Sequence, residues 1–501
     1  MISHRRAGIL LPVSSLPSRY GIGCFSKEAY DFVDALAEAG QAYWQILPLG
    51  PTSYGDSPYQ SFSTYAGNPY FISLEDLIEE GVLTKAECEK VNFGTNPSYV
   101  DYGKMFEGRY KLLHKAFERT ELKEDTDYSE FVRKNAFWLE DYALYMAVKT
   151  ERFDNKAWPE WAEDIRRRWD YSMDYYRREL AEEIEFWKYL QYKFHEQWHK
   201  LKQYANEKLI KIIGDIPIYV AMDSADVWAN PWLFQLDDTC TPTQVAGCPP
   251  DAFSPTGQLW GNPLYNWDHH RSTGYDWWVK RIEYCFDLYD VVRIDHFRGF
   301  DEYYAIPYGD EDAVNGRWEK GPGMDLFRTL NQRLGEREII AEDLGFMTET
   351  VRQLVKDSGY PNMRVLEFAF DERDTGNAND YLPHNYERNC VVYTGTHDNE
   401  TIMGWLKSIT PAEKKKICTY YHIPKASDEQ IRQELIRSAI SSVAGMCIIP
   451  MQDYLGLDNT CRMNRPSTLG GNWEWRLRPG QFTEKLQKEI EELSHLYGRW
   501  A

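Results

Sequence analysis

Short apolar runs recur eight times along this chain, each ending in polar or charged residues, and they constrain its fold more than any other feature. They fall at 7–13 (AGILLPV), 43–47, 209–213, 289–300 (apolar at Val291, Val292 and Ile294), 338–341 (EIIA), 364–370, 390–394 and 446–450. Helical signals stand between them. Ala29, Phe32, Val33 and Leu36 recur at helical spacing, with Ser26 to cap the start and Gly40 to stop the end. Residues 275–289 form a helix leading into the fourth run, and Thr348 and Gly359 frame another. Thr410, Pro411 and Glu413 make a capping box with proline at the first helical position. Apolar strands alternating with helices predict an α/β fold, a parallel (β/α)8 or TIM barrel. A doubly wound sheet would carry a glycine-rich phosphate loop after its first strand, and no GxGxxG stands there.

Two interruptions of the alternation are expected to be additions to one catalytic barrel spanning 1–501. Residues 75–205 read as almost wholly helical, an inserted helical subdomain. Its last helix carries Trp187, Leu190, Phe194, Trp198, Leu201 and Ala205 on one stripe, which is a packing face. The segment 245–267 (VAGCPPDAFSPTGQLWGNPLYNW) is rich in proline and glycine and reads as an irregular active-site loop or lid. A tyrosine-rich loop follows the second run.

A formal net charge of -21 argues against nucleic acid or an anionic membrane surface as partner, because both need a basic face. Nine cysteines with no CxxC pair fit reduced thiols, and the spacing of a metal site is absent. The apolar run before Pro12 is too short for a signal-peptide core, and no later stretch could span a bilayer, so a cytoplasmic protein is expected. Aromatic residues make up 15% of the chain, with 18 Trp and 35 Tyr. Most must serve the core, but flat apolar faces with polar tips also suit stacking against sugar rings.

Barrel chemistry sits at the C-terminal ends of the strands, and acidic residues stand there: Asp215 after strand three, Asp295 on strand four, Glu342 after strand five and Asp398 after strand seven. Four carboxylates converging on one rim are costly to keep ionised without a function. Arg293 and Asp295, two apart on one strand, project to the same face, so a permanent cation is expected to hold Asp295 ionised. A structural ion pair is the plain alternative. One carboxylate beside an arginine and a second without an adjacent cation match the nucleophile and the acid/base of retaining glycoside chemistry. A metal-dependent barrel is the competing class, disfavoured because Arg293 and Arg298 would add positive charge beside the ion. His296 and His397 each adjoin an aspartate and read as neutral, hydrogen-bonding histidines.

The strings LLPVSSLPS, ILPLGPTSYGDSPYQSFSTYAGNPY, GDIPIYV, PPDAFSPTGQLWGNPLYNW, RIDHFRGF, AEDLG, THDNET and RMNRPST together resemble the amylomaltases, the 4-α-glucanotransferases of glycoside hydrolase family 77, from about residue 7 to the end. The resemblance implies Asp295 as nucleophile, Glu342 as general acid/base, and Asp398 as a third carboxylate that binds sugar hydroxyls and stabilises the oxocarbenium-like state. It implies Tyr59, Asp215, Gln258, Trp260, Arg293, His296, Asp371, His397 and Asn464 around the donor and acceptor subsites. It further implies α-1,4-glucans and maltooligosaccharides as substrates, glucose as an acceptor, no cofactor or metal, and no C-terminal β-sandwich domain. The nearest alternative is an α-glucan hydrolase of the α-amylase type; a non-catalytic glucan-binding barrel is the other.

Overall fold

The computed structural model describes residues 4–53, 55–250, 254–345, 347–371 and 379–500. Eight parallel strands form the barrel: Arg6–Leu10, Tyr43–Gln45, Lys211–Pro217, Val291–Asp295, Ile339–Ala341, Asn362–Val365, Cys390–Tyr393 and Met446–Pro450. They neighbour one another in chain order, and strand eight returns to pair with strand one. Between strands five and six the Ala341 N–H donates to the Pro361 carbonyl at 3.0 Å.

The two-residue period of a strand sorts its side chains between two cores. Ile213, Val291, Ile340, Val391 and Ile448 pack inside the barrel. Their neighbours Ile212, Val292, Ile339, Val392 and Ile449 point outward into the layer packed against the helices. The same alternation carries Asp215 and Arg293 inward, one step closer to the C-terminal rim. Strand three therefore runs further than its apolar run suggests. Asp215 lies within it, whereas Leu209, expected in the strand, precedes it at φ +63° and is exposed.

Between strands two and three stand mostly helices, including two of 27 residues each, Thr126–Arg152 and Ala181–Glu207, which pack against each other. The stripe from Trp187 to Ala205 is buried as its spacing requires. Thr348 caps its helix through the Val351 N–H, Gly359 follows that helix at φ +74°, and the Thr410–Glu413 capping box is formed. Ser26 precedes its helix without capping it, because its hydroxyl turns to Ser18 and Glu28 instead. Among the described residues, no helix is long and apolar enough to cross a membrane.

Two further sequence expectations fail locally. The apolar run 364–370 is not one strand, since strand six ends at Val365 and Leu366–Phe370 coils into a 3-10 turn. Leu366, Ala369 and Phe370 are buried while Phe368 is exposed, a helical spacing that the count of apolar residues conceals. The 245–267 segment is only partly irregular, its two ends pairing as strands, with 251–253 outside the described residues. Gln244–Cys248 pairs antiparallel with Gln258–Pro263, and Glu302–Pro307 and Arg317–Lys320 complete a four-stranded sheet beside the barrel mouth. The breakers occupy compatible places. Pro249 and Pro250 follow the first strand, Gly257 (φ +70°) precedes the second, and Pro263 ends that edge strand. Gly261 (φ +77°) lies beside a shift in register at Val245/Gly247.

Candidate active site

Arg293 and Asp215 form the floor. They are almost completely buried, and one guanidinium nitrogen meets both carboxylate oxygens at 2.7 and 2.8 Å. The other terminal nitrogen of Arg293 reaches Asp295 at 3.0 Å. Removing either member of such a buried pair would leave an uncompensated charge, a loss of about 3–5 kcal/mol. The pair is thus fixed, and Arg293 holds Asp295 from below.

At Asp295 strand four ends. His296 takes a left-handed conformation (φ +56°) and turns the chain into the 3-10 turn Phe297–Phe300. That turn aims the His296 N–H at Glu342 Oε2 at 2.7 Å, while the Leu344 N–H donates to Oε1 at 2.7 Å. Two backbone donors therefore orient the Glu342 carboxyl. A bulky side chain at positive φ is strained, and the strain here serves the site.

Asp398 is held from the opposite rim. Asn464 Nδ2 donates to its Oδ1 at 2.6 Å, and His397 Nε2 lies 3.3 Å from its Oδ2. The two loops are joined along their backbones: the Asn464 N–H donates to the His397 carbonyl at 3.1 Å, and Arg462 donates to the Asp398 carbonyl at 2.6 Å and the Asn464 carbonyl at 2.7 Å. Tyr59 closes the ring. Its hydroxyl meets Asp215 Oδ2 at 2.8 Å and His397 Nε2 at 2.9 Å, with its ring stacked on the imidazole.

Electrostatics separate the three carboxyls. Burial, reinforced by the charge of Asp295, pushes Glu342 up to about 7 against the pull of Arg293. Burial also raises Asp295 above its ordinary value, with Arg293 as the largest opposing influence. The neighbouring cation opposes this rise but does not outweigh desolvation. Asp398 stays well below the usual range although burial opposes it, because His397 and Asn464 stabilise its charge. In return Asp398 raises His397 against its burial, whereas burial lowers His296 to about 3 and keeps it neutral.

Above this cluster lies a cleft of about 480 Å³ lined by Tyr59, Gln258, Trp260, Asp295, His296, His397, Asp398 and Asn464. Trp260 sets its ring edge-on to His296 at 4.8 Å and donates from Nε1 to Gln258 at 3.1 Å. Among the described residues, buried His296 Nε2 and His397 Nδ1 have no hydrogen-bond partner, so both can take a ligand's polar group. Asp371 stands at the end of the Leu366–Phe370 turn and is not among the residues lining this cleft. Tyr219, Trp473 and Asn262 line it without having been singled out from sequence, and Arg462 escaped notice as the clamp between two loops. Trp473 carries the one retrospective signal. It follows a Gly-Gly step in the loop after strand eight, sits at φ +65°, and packs near Tyr59 and His397. Among the described residues, no three metal-type ligand atoms converge in the cleft.

A carboxyl protonated near neutrality, a second held against arginine and a third kept ionised can together break and remake a glycosidic bond. The family model for 4-alpha-glucanotransferase of glycoside hydrolase family 77 matches residues 11–483. A 4-alpha-glucanotransferase of Clostridium butyricum is 50% identical over 97% of this chain and 99% of its own length. One from Thermus thermophilus is 45% identical over 96% of each chain. The solved amylomaltase of Streptococcus agalactiae in complex with acarbose superposes with a TM-score of 0.95 at 43% identity, covering 99% of this chain and all of that one. An amylomaltase of Corynebacterium glutamicum, at 17% identity and a TM-score of 0.75, shares the fold. By its length of match and its identity to these relatives, the chain belongs to glycoside hydrolase family 77, the 4-alpha-glucanotransferase family.

Proposed function

We propose that the protein is a retaining 4-α-glucanotransferase acting on α-1,4-glucans and maltooligosaccharides, with Asp295 as nucleophile and Glu342 as acid/base. The observation that carries this reading is that Glu342, raised to about 7 by burial and by the charge of Asp295, is tied through the His296 N–H to the strand end where Asp295, anchored by Arg293, lines an aromatic-walled cleft. A carboxylate oxygen of Asp295 attacks the anomeric carbon as the bond to the leaving glycosidic oxygen breaks, and Glu342 gives that oxygen its proton. The donor glucan is then held as an ester on Asp295. Glu342, now ionised, takes the proton of an incoming 4-hydroxyl, whose oxygen displaces Asp295 and restores the original α configuration. Asp398, permanently charged, holds ring hydroxyls and balances the oxocarbenium-like charge.

Tyr59, Gln258, Trp260, His296, His397 and Asn464 contact the sugars directly. Asp215 and Arg293 support them from beneath, and Asp371 serves a subsite further out. The helical region at 75–205 is an insertion in a single catalytic barrel, and the 245–267 segment acts as the active-site lid. Nine cysteines outside any disulfide and an acidic composition support action in the cytoplasm, with glucose among the acceptors.

The test is product analysis on pure maltotriose. Disproportionation gives glucose together with glucans longer than the trisaccharide, at nearly constant total reducing ends. A steady rise in reducing ends with only shorter products would instead make the protein an α-glucan hydrolase on the same three carboxyls.

A further inference from the structure

Away from the cleft, helix Ala181–Glu207 meets helix Asp276–Leu288 on the outside of the barrel. His195 and His199 stand one turn apart on the same face of the first, and Asp287 lies in the last turn of the second. Each offers one ligand atom, and the three atoms lie within 4.8 Å of one another. We propose that His195, His199 and Asp287 form a binding site for a divalent transition-metal ion such as Zn²⁺, which ties the two helices together.

The bonds around the histidines are those a metal site requires. His199 Nδ1 is engaged by the His195 carbonyl at 2.8 Å, so its Nε2 is left over and faces Asp287 Oδ2 at 3.3 Å. His195 Nε2 is engaged by the Tyr284 hydroxyl at 2.6 Å, which leaves its other nitrogen to ligate. A ligating histidine normally has its second nitrogen fixed by a carbonyl, carboxylate or hydroxyl, and here both are fixed. Two imidazoles and a carboxylate suit zinc, with solvent at the fourth position. His195 is buried and provides a fixed point, while the His199 and Asp287 side chains are 41% and 38% exposed. Binding at ligand distances of ~2.0–2.2 Å needs the Asp287 carboxylate to draw in towards the two imidazoles. Two cations stand near the ion's place: Lys134 Nζ lies 3.5 Å from Asp287 Oδ1, but its side chain is 65% exposed and can swing into solvent, and Lys202 Nζ donates to the Asp287 carbonyl at 3.1 Å and pairs with Asp290. His195 and His199 stand at helical spacing in the sequence, but nothing there marks the third ligand, which lies on another helix 88 positions beyond His199.

Full-length protein stripped with a chelator and titrated with Zn²⁺ tests this by calorimetry and thermal unfolding. The expected result is one ion bound per chain with a rise in Tm. His199→Ala should weaken binding by at least about a hundredfold and Tyr284→Phe by about tenfold, since an outer partner alone is worth about 10–100-fold. Lys134→Gln should tighten it. Maltotriose turnover should be the same in stripped and loaded protein, as the ion lies outside the cleft. Absence of saturable one-to-one binding in the wild type overturns the proposal, as does a binding constant and Tm shift unaltered in both His199→Ala and Asp287→Asn.

Discussion

Asp295 and Glu342 stand on adjacent strand ends under different constraints, and their substitutions should fail differently. Asp295→Asn keeps shape but removes the attacking charge, so turnover should vanish while glucan binding and folding persist. Glu342→Gln should lose about 10²–10⁴-fold on ordinary glucans and recover on a glycosyl fluoride, whose leaving group needs no proton. The protonation of Glu342 also sets a pH dependence. Its pKa in the folded chain, about 7, exceeds the ordinary 4.5. Its contribution to stability is therefore fully present below about 4.5 and lost as pH rises through about 7. Wild-type activity should decline through the same upper window as the acid ionises. Glu342→Gln cannot ionise, so from about pH 5 to about pH 8 its stability should gain on the wild type by no more than ~3 kcal/mol, the full shift undiminished by solvent. Paired chemical denaturation curves at both pH values, with a pH–rate profile, check this; a wild-type profile flat across pH 6 to 8 would remove Glu342 from the acid role.

At the scale of elements, the small sheet beside the barrel mouth places Gln258 and Trp260 against the cleft, and its geometry rests on a glycine. A Cβ at Gly247 would meet the Gln258 carbonyl oxygen at 2.1 Å and the Ile306 Cδ1 at 2.4 Å. The first neighbour is backbone and cannot move aside. Gly247→Ala should therefore prise the two strands apart at a cost of about 1–3 kcal/mol. The barrel, whose strands pair independently of this sheet, should remain folded. The expected result is a near-native circular dichroism spectrum, a lower transfer rate and a larger share of hydrolysis, because Trp260 no longer closes the cleft. An unchanged ratio of transfer to hydrolysis would detach this sheet from the lid role.

For the whole molecule, closure of the barrel and closure of the chain coincide. Strand eight pairs with strand one, and Arg499, almost at the other end of the chain from strand one, is fully buried behind that seam. Its guanidinium donates to the carbonyls of Ile440, Ser442, Ala444 and Arg6, and its own carbonyl accepts from the Ala7 N–H at 3.1 Å. Arg499→Ala strands several buried acceptors, each worth about 1–3 kcal/mol when left without a partner. Global stability should fall by several such increments, while kcat at low temperature stays near the wild-type value. Thermal unfolding and initial rates separate the two; a Tm within error of the wild type would show that solvent replaces the arginine.

The barrel and the identity of its carboxylates were legible in the sequence, because both are local properties. An apolar run of the right length makes a buried strand wherever it stands, and Asp295 or Glu342 need only follow such a run to reach the rim. Local rules misread 364–370 and 245–267, where composition was informative but the spacing of buried positions, and a partner strand far along the chain, decided the backbone. What no local rule could supply was proximity. Arg293 takes Asp215 as well as Asp295, Tyr59 bridges to His397 across 338 positions, Arg462 clamps the loops of Asp398 and Asn464, and His195 and His199 meet Asp287. Charge, burial and hydrogen bonding act through space, so the upward shift of Glu342 and the neighbours of each histidine were decided only when the folded chain brought these groups within a few ångströms of one another.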